Sequence, residues 1–251
     1  MEEPRLLVRR CVRSPQLRNS RDLLIALPPG YQGSTAAYPV VYMQDGQNLF
    51  DPATSFAGDW GIRATLADLA QTGLEAIVVG IPHQGKRRPF EYSPFVDPVN
   101  GGGGGEQYLA FVVETVKPLV DRGFRTLRNR GQTVIAGSSL GGLISLYAFF
   151  RHPDVFGAAG VLSPALWFAG GAILRYIEGS PSPTAGRIHL DVGTAEGERA
   201  VTDVRALRGL LEGRGYRIGE RLSYVEEEGA GHDEAAWGRR FRKALPFLLR
   251  G

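Results

Sequence analysis

Short apolar runs recur along the chain and constrain its fold more than any other feature. Four of them, VVYM, AIVVGI, VIAG and AAGVL, contain no charged or amide side chain. Strands that are apolar on both faces are typical of a largely parallel sheet with helices packed on each side. We predict eight strands, at residues 5–12, 22–26, 39–43, 76–80, 132–136, 157–162, 187–192 and 221–226.

Segments with helical periodicity separate these strands. In residues 106–123, apolar side chains recur at intervals of three and four, so that one face can pack on the sheet. Further helices are predicted at 140–150, 206–213 and 234–249. This alternation predicts an α/β fold, with a mostly parallel, twisted sheet of about eight strands flanked by helices. The first two strands are expected to pair in antiparallel fashion.

Length and charge narrow the class of protein. The chain has 251 residues, a common length for one α/β domain, so we expect a single domain over 1–251. The net charge is only +3, and the arginines are scattered rather than interleaved with stacking aromatics, which argues against nucleic-acid binding. Cys11 is the single cysteine, so no internal disulfide can form, and its apolar surroundings predict a core position.

The N-terminal stretch, the apolar runs and the glycine-rich segment do not indicate a membrane or nucleotide partner. The stretch MEEPRLLVRRCVRS lacks the basic and then apolar regions of a signal peptide, and no apolar run approaches the ~20 residues that cross a bilayer. We therefore expect a soluble, cytoplasmic protein, whose oligomeric state stays open. Residues 101–105 are five glycines without the lysine of a phosphate-binding loop, so a flexible rim loop is expected there.

One strand runs directly into a glycine-rich turn and then into a helix. The stretch is VIAGSSLGGLIS, in which Gly137, Ser139 and Gly141 form a Gly-x-Ser-x-Gly pattern. In a nucleophile elbow the glycines allow a strained turn that projects the serine hydroxyl, and the N–H of the next residue points at a developing oxyanion. Ser139 is therefore the candidate nucleophile. The alternative is that the glycines only make a tight turn.

A serine nucleophile needs a general base, and the chain has four histidines. His232 follows the last predicted strand in the segment EGAGHD, which can bring it over the sheet edge to the serine. His152 precedes a proline at a helix end, His189 lies within a strand, and His83 precedes the serine in the chain. His232 is the predicted base. No two histidines have the spacing of metal ligands, and the site calls for no metal or cofactor.

The base in turn needs an acid that orients it. In hydrolases with this serine turn, the acid lies between serine and histidine in the chain, in a loop after a late strand. The segment HLDVGTAEGE supplies a strand, a Gly-Thr turn and then Glu196, which we predict as the acid. Asp191, within the strand, and Glu198, two residues further from its end, remain alternatives.

Four blocks of the sequence carry a resemblance to one family. They are MQDGQNLFD, IVVGIPHQGKRRPFEYSPF, AGSSLGGLISLYAFFRHPDVFGAAGVLSPALWF and GAGHDEAAW. Together they resemble the "Putative esterase" family of α/β-hydrolases, which includes esterase D-type enzymes, feruloyl esterases, enterochelin esterase and the mycolyltransferases. The similarity extends from about Pro15 to the C-terminus. It implies an α/β-hydrolase fold without a large lid domain.

The resemblance also implies the roles of individual residues. Ser139, Glu196 and His232 would form the catalytic triad, and the backbone N–H groups of Gln47 and Leu140 the oxyanion hole. The geometry of an oxyanion hole also requires that its second N–H come from the backbone just after the third strand.

Four further residues are candidates for substrate binding: Trp60, Arg88, Tyr92 and Trp167. For Trp60, packing at the start of a helix is as good an interpretation. For Arg88, the alternative is a buried ion pair with Glu91 that shapes the wall of the cleft.

The predicted function is that of a serine carboxylic-ester hydrolase acting on a small or medium ester. The segment FAGGAILRYIEGSPSPTAG, between the sixth strand and the acid, is too short for a lid, so an open cleft is expected. Lys86, Arg87 and Arg88 favour one alternative, a siderophore trilactone esterase that attracts an anionic ferric chelate. Acyl transfer and a non-catalytic scaffold are the others; the complete set of predicted site residues argues against the scaffold.

Overall fold

The computed structural model describes residues 3–250. Its strands are β1 Arg5–Ser14, β2 Asn19–Leu27, β3 Val40–Gln44, β4 Ile77–Ile81, β5 Val96–Asp97, β6 Gly101–Gly102, β7 Thr133–Ser138, β8 Ala158–Leu162, β9 Arg187–Gly193 and β10 Leu222–Glu227. Its helices are α1 Ile62–Gln71, α2 Arg88–Tyr92, α3 Gly105–Ala110, α4 Lys117–Gly123, α5 Leu140–Arg151, α6 Ala172–Gly179, α7 Glu198–Gly213 and α8 Glu234–Leu248. A π-helical segment, Phe111–Val116, joins α3 to α4.

The eight long strands form one sheet in the order β1-β2-β4-β3-β7-β8-β9-β10. The pairs β1/β2 and β2/β4 are antiparallel, and every other neighbouring pair in this sheet is parallel. All eight predicted strands are present, so the predicted mostly parallel α/β sheet is confirmed. Because β3, β7, β8, β9 and β10 are parallel, their carboxyl ends meet at one edge, where the candidate site lies.

Strand β3 illustrates why the apolar runs have to be buried. Val40 and Tyr42 lie in the core on one face of the sheet, and Val41 and Met43 lie in the core on the other. The first face is covered by α3 to α7, and the second by α1 and α8. A strand with helices on both faces can carry apolar side chains at every position.

The helices differ more from the prediction than the strands do. Helices α1, α2 and α6 were not predicted, and α7 begins at Glu198 rather than at residue 206. The first two turns of α7 bury only Val201 and Val204, a stripe too narrow to recognise among polar neighbours. Periodicity detects a helix only when it buries a wide apolar face.

Two local predictions are corrected. Cys11 is exposed rather than in the core, because a bulge in β1 gives it a φ of 53° and leaves Val12 as the buried residue. The expected loop of glycines is a packed hairpin that leads into α3. A Cβ on Gly104 would lie 2.2 Å from the Phe90 ring, so absence of a side chain is what permits this packing.

Candidate active site

Ser139 lies at the junction of β7 and α5, where the backbone is strained. It has φ 57° and ψ −123°, a conformation that a residue with a side chain rarely adopts. Its N–H donates to the carbonyl of Leu162 at 3.0 Å, and its carbonyl accepts from the N–H of Ala165 at 3.0 Å. A Cβ on Gly137 would lie 2.8 Å from the backbone of Gly141. The two glycines of the pattern are therefore required by the close approach of strand and helix.

The neighbouring strand, β3, ends in a second strained turn. Asp45 has a φ of 53°, and Gln47 lies in the single helical turn Gly46–Asn48 that follows. Arg88 holds the Asp45 carboxylate through two hydrogen bonds of 2.8 Å, and the Asp45 N–H donates to the Tyr92 hydroxyl. The N–H of His83 donates to Oε1 of Gln47 at 3.4 Å. Gln47 and Leu140 thus follow the carboxyl ends of two adjacent parallel strands.

His232 and Glu196 come from the loops after β10 and β9. Nδ1 of His232 lies 2.6 Å from Oε2 of Glu196. Of the other acids considered, Asp191 is fully buried against His189 and Arg240, and Glu198 is exposed at the start of α7. Glu196 is therefore the acid among these three that contacts His232.

The surroundings of Glu196 keep it ionised. Burial raises its pKa, but hydrogen bonds from His232, Ser163 and the N–H of Gly193 outweigh burial and bring the pKa below its usual value. An ionised carboxylate only accepts, so Nδ1 of His232 carries a proton and Nε2 of the neutral ring has a free lone pair. That tautomer is the one a general base requires.

Ser139 and His232 line the same cleft, which has a volume of about 340 Å³. The rest of its wall is formed by Asp45, Asn48, Phe56, Ala57, His83, Arg88, Ser138, Glu234 and Trp237. A second cavity of about 250 Å³ shares His232 and is lined by the 45 % exposed Trp167, by apolar residues of β9 and α7, and by the polar residues Ser163, Glu196, Arg199 and Asp203. The histidine therefore separates two adjoining spaces.

The four predicted substrate residues have different positions. Arg88 lines the cleft and is paired with Asp45, and Glu91 pairs with Arg21, so the alternative of an Arg88–Glu91 pair is wrong. Trp167 lines the second cavity. Tyr92 is fully buried beneath the Asp45 turn, and Trp60 packs against Trp237 in the core. Tyr92 and Trp60 therefore pack behind the residues that line the cleft and do not face the substrate space.

Sequence reasoning did not find several polar residues around the site. Nδ2 of Asn48 donates to Oε1 of Glu234 at 3.0 Å, which ties the turn after β3 to the start of α8. Ser163 and Arg240 contact Glu196, and Trp237 donates to Ser163. Asn48, Ser163, Glu234 and Trp237 lie within the blocks that carry the family resemblance, but nothing in those blocks singled them out, and Arg240 lies outside them.

Known proteins share this arrangement of elements. The enterobactin esterase FES from Shigella flexneri superimposes with a TM-score of 0.76 at 22 % identity, over 98 % of this chain and 58 % of that one. The uncharacterized protein YbbA of Bacillus subtilis is 26 % identical, over 91 % of this chain and 92 % of its own. The siderophore triacetylfusarinine C esterase of Aspergillus fumigatus is 34 % identical, over 55 % of this chain and 47 % of its own.

The fold is that of the α/β-hydrolases, and the chain is a carboxylic ester hydrolase. More specifically, it belongs to the family described as "Putative esterase", whose model matches residues 14–248. The fold class and family predicted from the sequence are thus confirmed. Among the helices of residues 3–250, none is both long enough and apolar enough to span a bilayer.

Proposed function

We propose that this chain is a serine esterase in which Ser139, His232 and Glu196 form the catalytic triad. The observation that carries the proposal is the contact between Glu196 and Nδ1 of His232, in a cleft that His232 shares with Ser139 at its strained turn. The contact leaves Nε2 of His232 free to take a proton, and the turn projects the hydroxyl from the end of the strand.

The reaction follows the double displacement of serine hydrolases. Nε2 of His232 takes the proton of the Ser139 hydroxyl while Oγ attacks the ester carbonyl carbon, and the N–H groups of Gln47 and Leu140 hold the oxyanion. His232 then protonates the alcohol oxygen as the C–O bond breaks, leaving an acyl-enzyme. A water, deprotonated by His232, cleaves the acyl-enzyme and restores Ser139.

The two cavities beside His232 support an ester of small or medium size. Their volumes, about 340 and 250 Å³, match two modest substituents on either side of the reacting carbonyl. The exposed ring of Trp167 favours a flat or apolar group in the second cavity.

Intact-mass spectrometry after treatment with a fluorophosphonate tests this proposal. We expect a single adduct on the wild type and none on Ser139→Ala, because only an activated serine in a working oxyanion site reacts. Ser138→Ala is the matched control and should keep the adduct, since Ser138 is the neighbouring hydroxyl. Equal labelling or equal ester hydrolysis by folded Ser139→Ala would refute the proposal.

A second candidate function is hydrolysis of a siderophore trilactone. Two relatives are named siderophore esterases and a third a ferri-bacillibactin esterase, and Lys86 and Arg87 are exposed beside the cleft residue Arg88. Because Asp45 neutralises Arg88, the attraction for an anionic chelate depends on the two exposed residues. Under this candidate, kcat/KM on a ferric catecholate trilactone exceeds that on aryl esters and falls in Lys86→Gln/Arg87→Gln. If the enzyme prefers aryl esters and the double substitution does not change kcat/KM, the siderophore candidate is refuted and the first proposal, a simple esterase, stands.

A further inference from the structure

Ser163 lies next to the proposed triad but has no part in the reaction described above. It follows β8 directly, is only 3 % exposed, and has a φ of 40°. Its N–H donates to the carbonyl of Asp191 at 3.0 Å. A buried serine in a strained conformation is held there by its surroundings, and such strain is concentrated at functional sites.

The Ser163 hydroxyl has three polar neighbours, which together decide where its proton points. Nε1 of Trp237 donates to Oγ at 3.0 Å, and a guanidinium N–H of Arg240 donates to Oγ at 2.7 Å. Indole and guanidinium groups are donors only, so they occupy both acceptor positions of the hydroxyl. The remaining neighbour is Oε1 of Glu196, at 2.6 Å, and the hydroxyl proton must go to it.

The two donors to Ser163 are themselves held in place. Nε of Arg240 lies 3.0 Å from Oδ1 of Asp191, and both side chains are fully buried. The Trp237 ring stands edge-on to the His232 ring, with 4.8 Å between the centroids. Trp237 and Arg240 are three residues apart on α8 and therefore lie on one face of the helix. That face contacts both Ser163, which donates to Glu196, and His232.

We propose that Ser163 is a positioning residue that fixes the orientation of the Glu196 carboxylate toward His232, with its own hydroxyl locked by Trp237 and Arg240. The inference rests on the proposed function, because Glu196 matters only if it is the acid of the triad. A charge-assisted hydrogen bond to the carboxylate stabilises its ionised form, and two donors to the same hydroxyl strengthen that bond.

Steady-state kinetics of Ser163→Ala across pH is the central test. We expect kcat to fall about 10- to 100-fold, the equivalent of one hydrogen bond to a charged group, with KM unchanged. The acidic limb of the pH profile should move to higher pH, because Glu196 loses a donor to its charged form. Ser14→Ala removes another fully buried serine far from the site and should change neither kcat nor the pH profile.

A double substitution separates positioning from a general packing role. In the Glu196→Gln background, adding Ser163→Ala should cost less than threefold, because its effect passes through the carboxylate. If Ser163→Ala does not fold, Ser163→Gly replaces it, since glycine adopts a positive φ without strain. An unchanged pH profile, a loss confined to KM, or a full additive loss in the Glu196→Gln background would each overturn the inference. Activity retained in Ser139→Ala would instead refute the proposed function itself.

Discussion

Two buried carboxylates flank His232, and their pKa values are shifted in opposite directions. The pKa of Glu196 is lowered, because burial is outweighed by donors from His232, Ser163 and Gly193. The pKa of Glu234 is raised, chiefly by burial, with repulsion from Asp45 added. Oε1 of Glu234 accepts one hydrogen bond, from Asn48. Both carboxylates are desolvated, so the stronger set of hydrogen bonds to Glu196 accounts for the opposite directions of the two shifts.

The difference separates the two sides of the site. On the acid side, the buried polar groups around Glu196 contact one another and fix one arrangement. On the cleft side, the ion pair of Asp45 with Arg88 faces the space that receives substrate. We infer that the acid side provides rigidity to the triad, and that the cleft side shapes the substrate site and the turn that contains Gln47.

The largest effect is expected on the acid side. Glu196→Gln should lower kcat about 10⁴-fold, because an amide can donate to Nδ1 of His232 and stabilise the tautomer that cannot take a proton from serine. The matched control is Glu198→Gln, an exposed carboxylate two residues away, which should leave kcat unchanged. Steady-state hydrolysis of an aryl ester measures both. Equal losses in the two variants would show that Glu196 is not the acid.

The largest effect on the cleft side is expected for Arg88→Met. It leaves the Asp45 carboxylate unpaired and frees the turn before Gln47, so we expect kcat/KM to fall about 100-fold through misplacement of the oxyanion donor. The melting temperature should fall as well, because a largely buried charge loses its partner. Arg87→Met, at the adjacent exposed position, is the control. A loss in Arg87→Met as large as that in Arg88→Met would assign the effect to surface charge.

Trp237→Phe is expected to have a smaller effect. The substitution removes the N–H that donates to Ser163 and keeps a ring against His232, so a loss of about fivefold in kcat corresponds to one neutral hydrogen bond. Trp60→Phe makes the same indole-to-phenyl replacement in the core, where Trp60 packs behind Trp237. There we expect lower stability with an unchanged pH profile of kcat. The contrast fails if both variants lower kcat equally.

The smallest effect concerns stability against pH. Glu196, with a lowered pKa, stabilises the fold above its unfolded pKa of about 4.3, and this is lost as pH falls through the folded value. Glu234, with a raised pKa, has the opposite sign: its cost develops as pH rises through its folded value. Urea unfolding between about pH 2 and pH 7 should show Glu196→Gln losing stability relative to wild type as pH rises, and Glu234→Gln gaining it. If the stability of the two variants changed with pH in the same direction relative to wild type, the opposite pKa shifts of Glu196 and Glu234 would be contradicted.

Residues with strong local signals were predictable around the site. The turn at Ser139 follows from a continuous apolar strand, two spaced glycines and an apolar helix. Glu196 and His232 follow from glycine-containing loops after late strands, in the chain order that such hydrolases use. Their roles stay predictions until the labelling and kinetic experiments are done.

Residues whose role depends on distant partners were not predictable. Ser163 is an ordinary Leu-Ser-Pro serine in the sequence, and its three neighbours are Glu196, Trp237 and Arg240, 33 to 77 positions away. For Arg88, one alternative was a pair with nearby Glu91, but its partner is Asp45, 43 residues earlier. Closeness in the sequence suggests which residues can pair within one helix. It does not show which residues of different strands and loops meet at the edge of the sheet.

The sequence by itself determined the class of this protein: the eight strands of a mostly parallel sheet, the helices on its two faces and the turn at Ser139 all follow from local patterns of apolar side chains and glycines. Only the tertiary structure decided which polar groups meet, and hence which carboxylate lies against His232 and which buried hydroxyl donates to it. The physical reason is that burial of apolar surface depends mainly on the pattern along each element, whereas hydrogen bonds depend on distances of about 3 Å between elements that the chain brings together last.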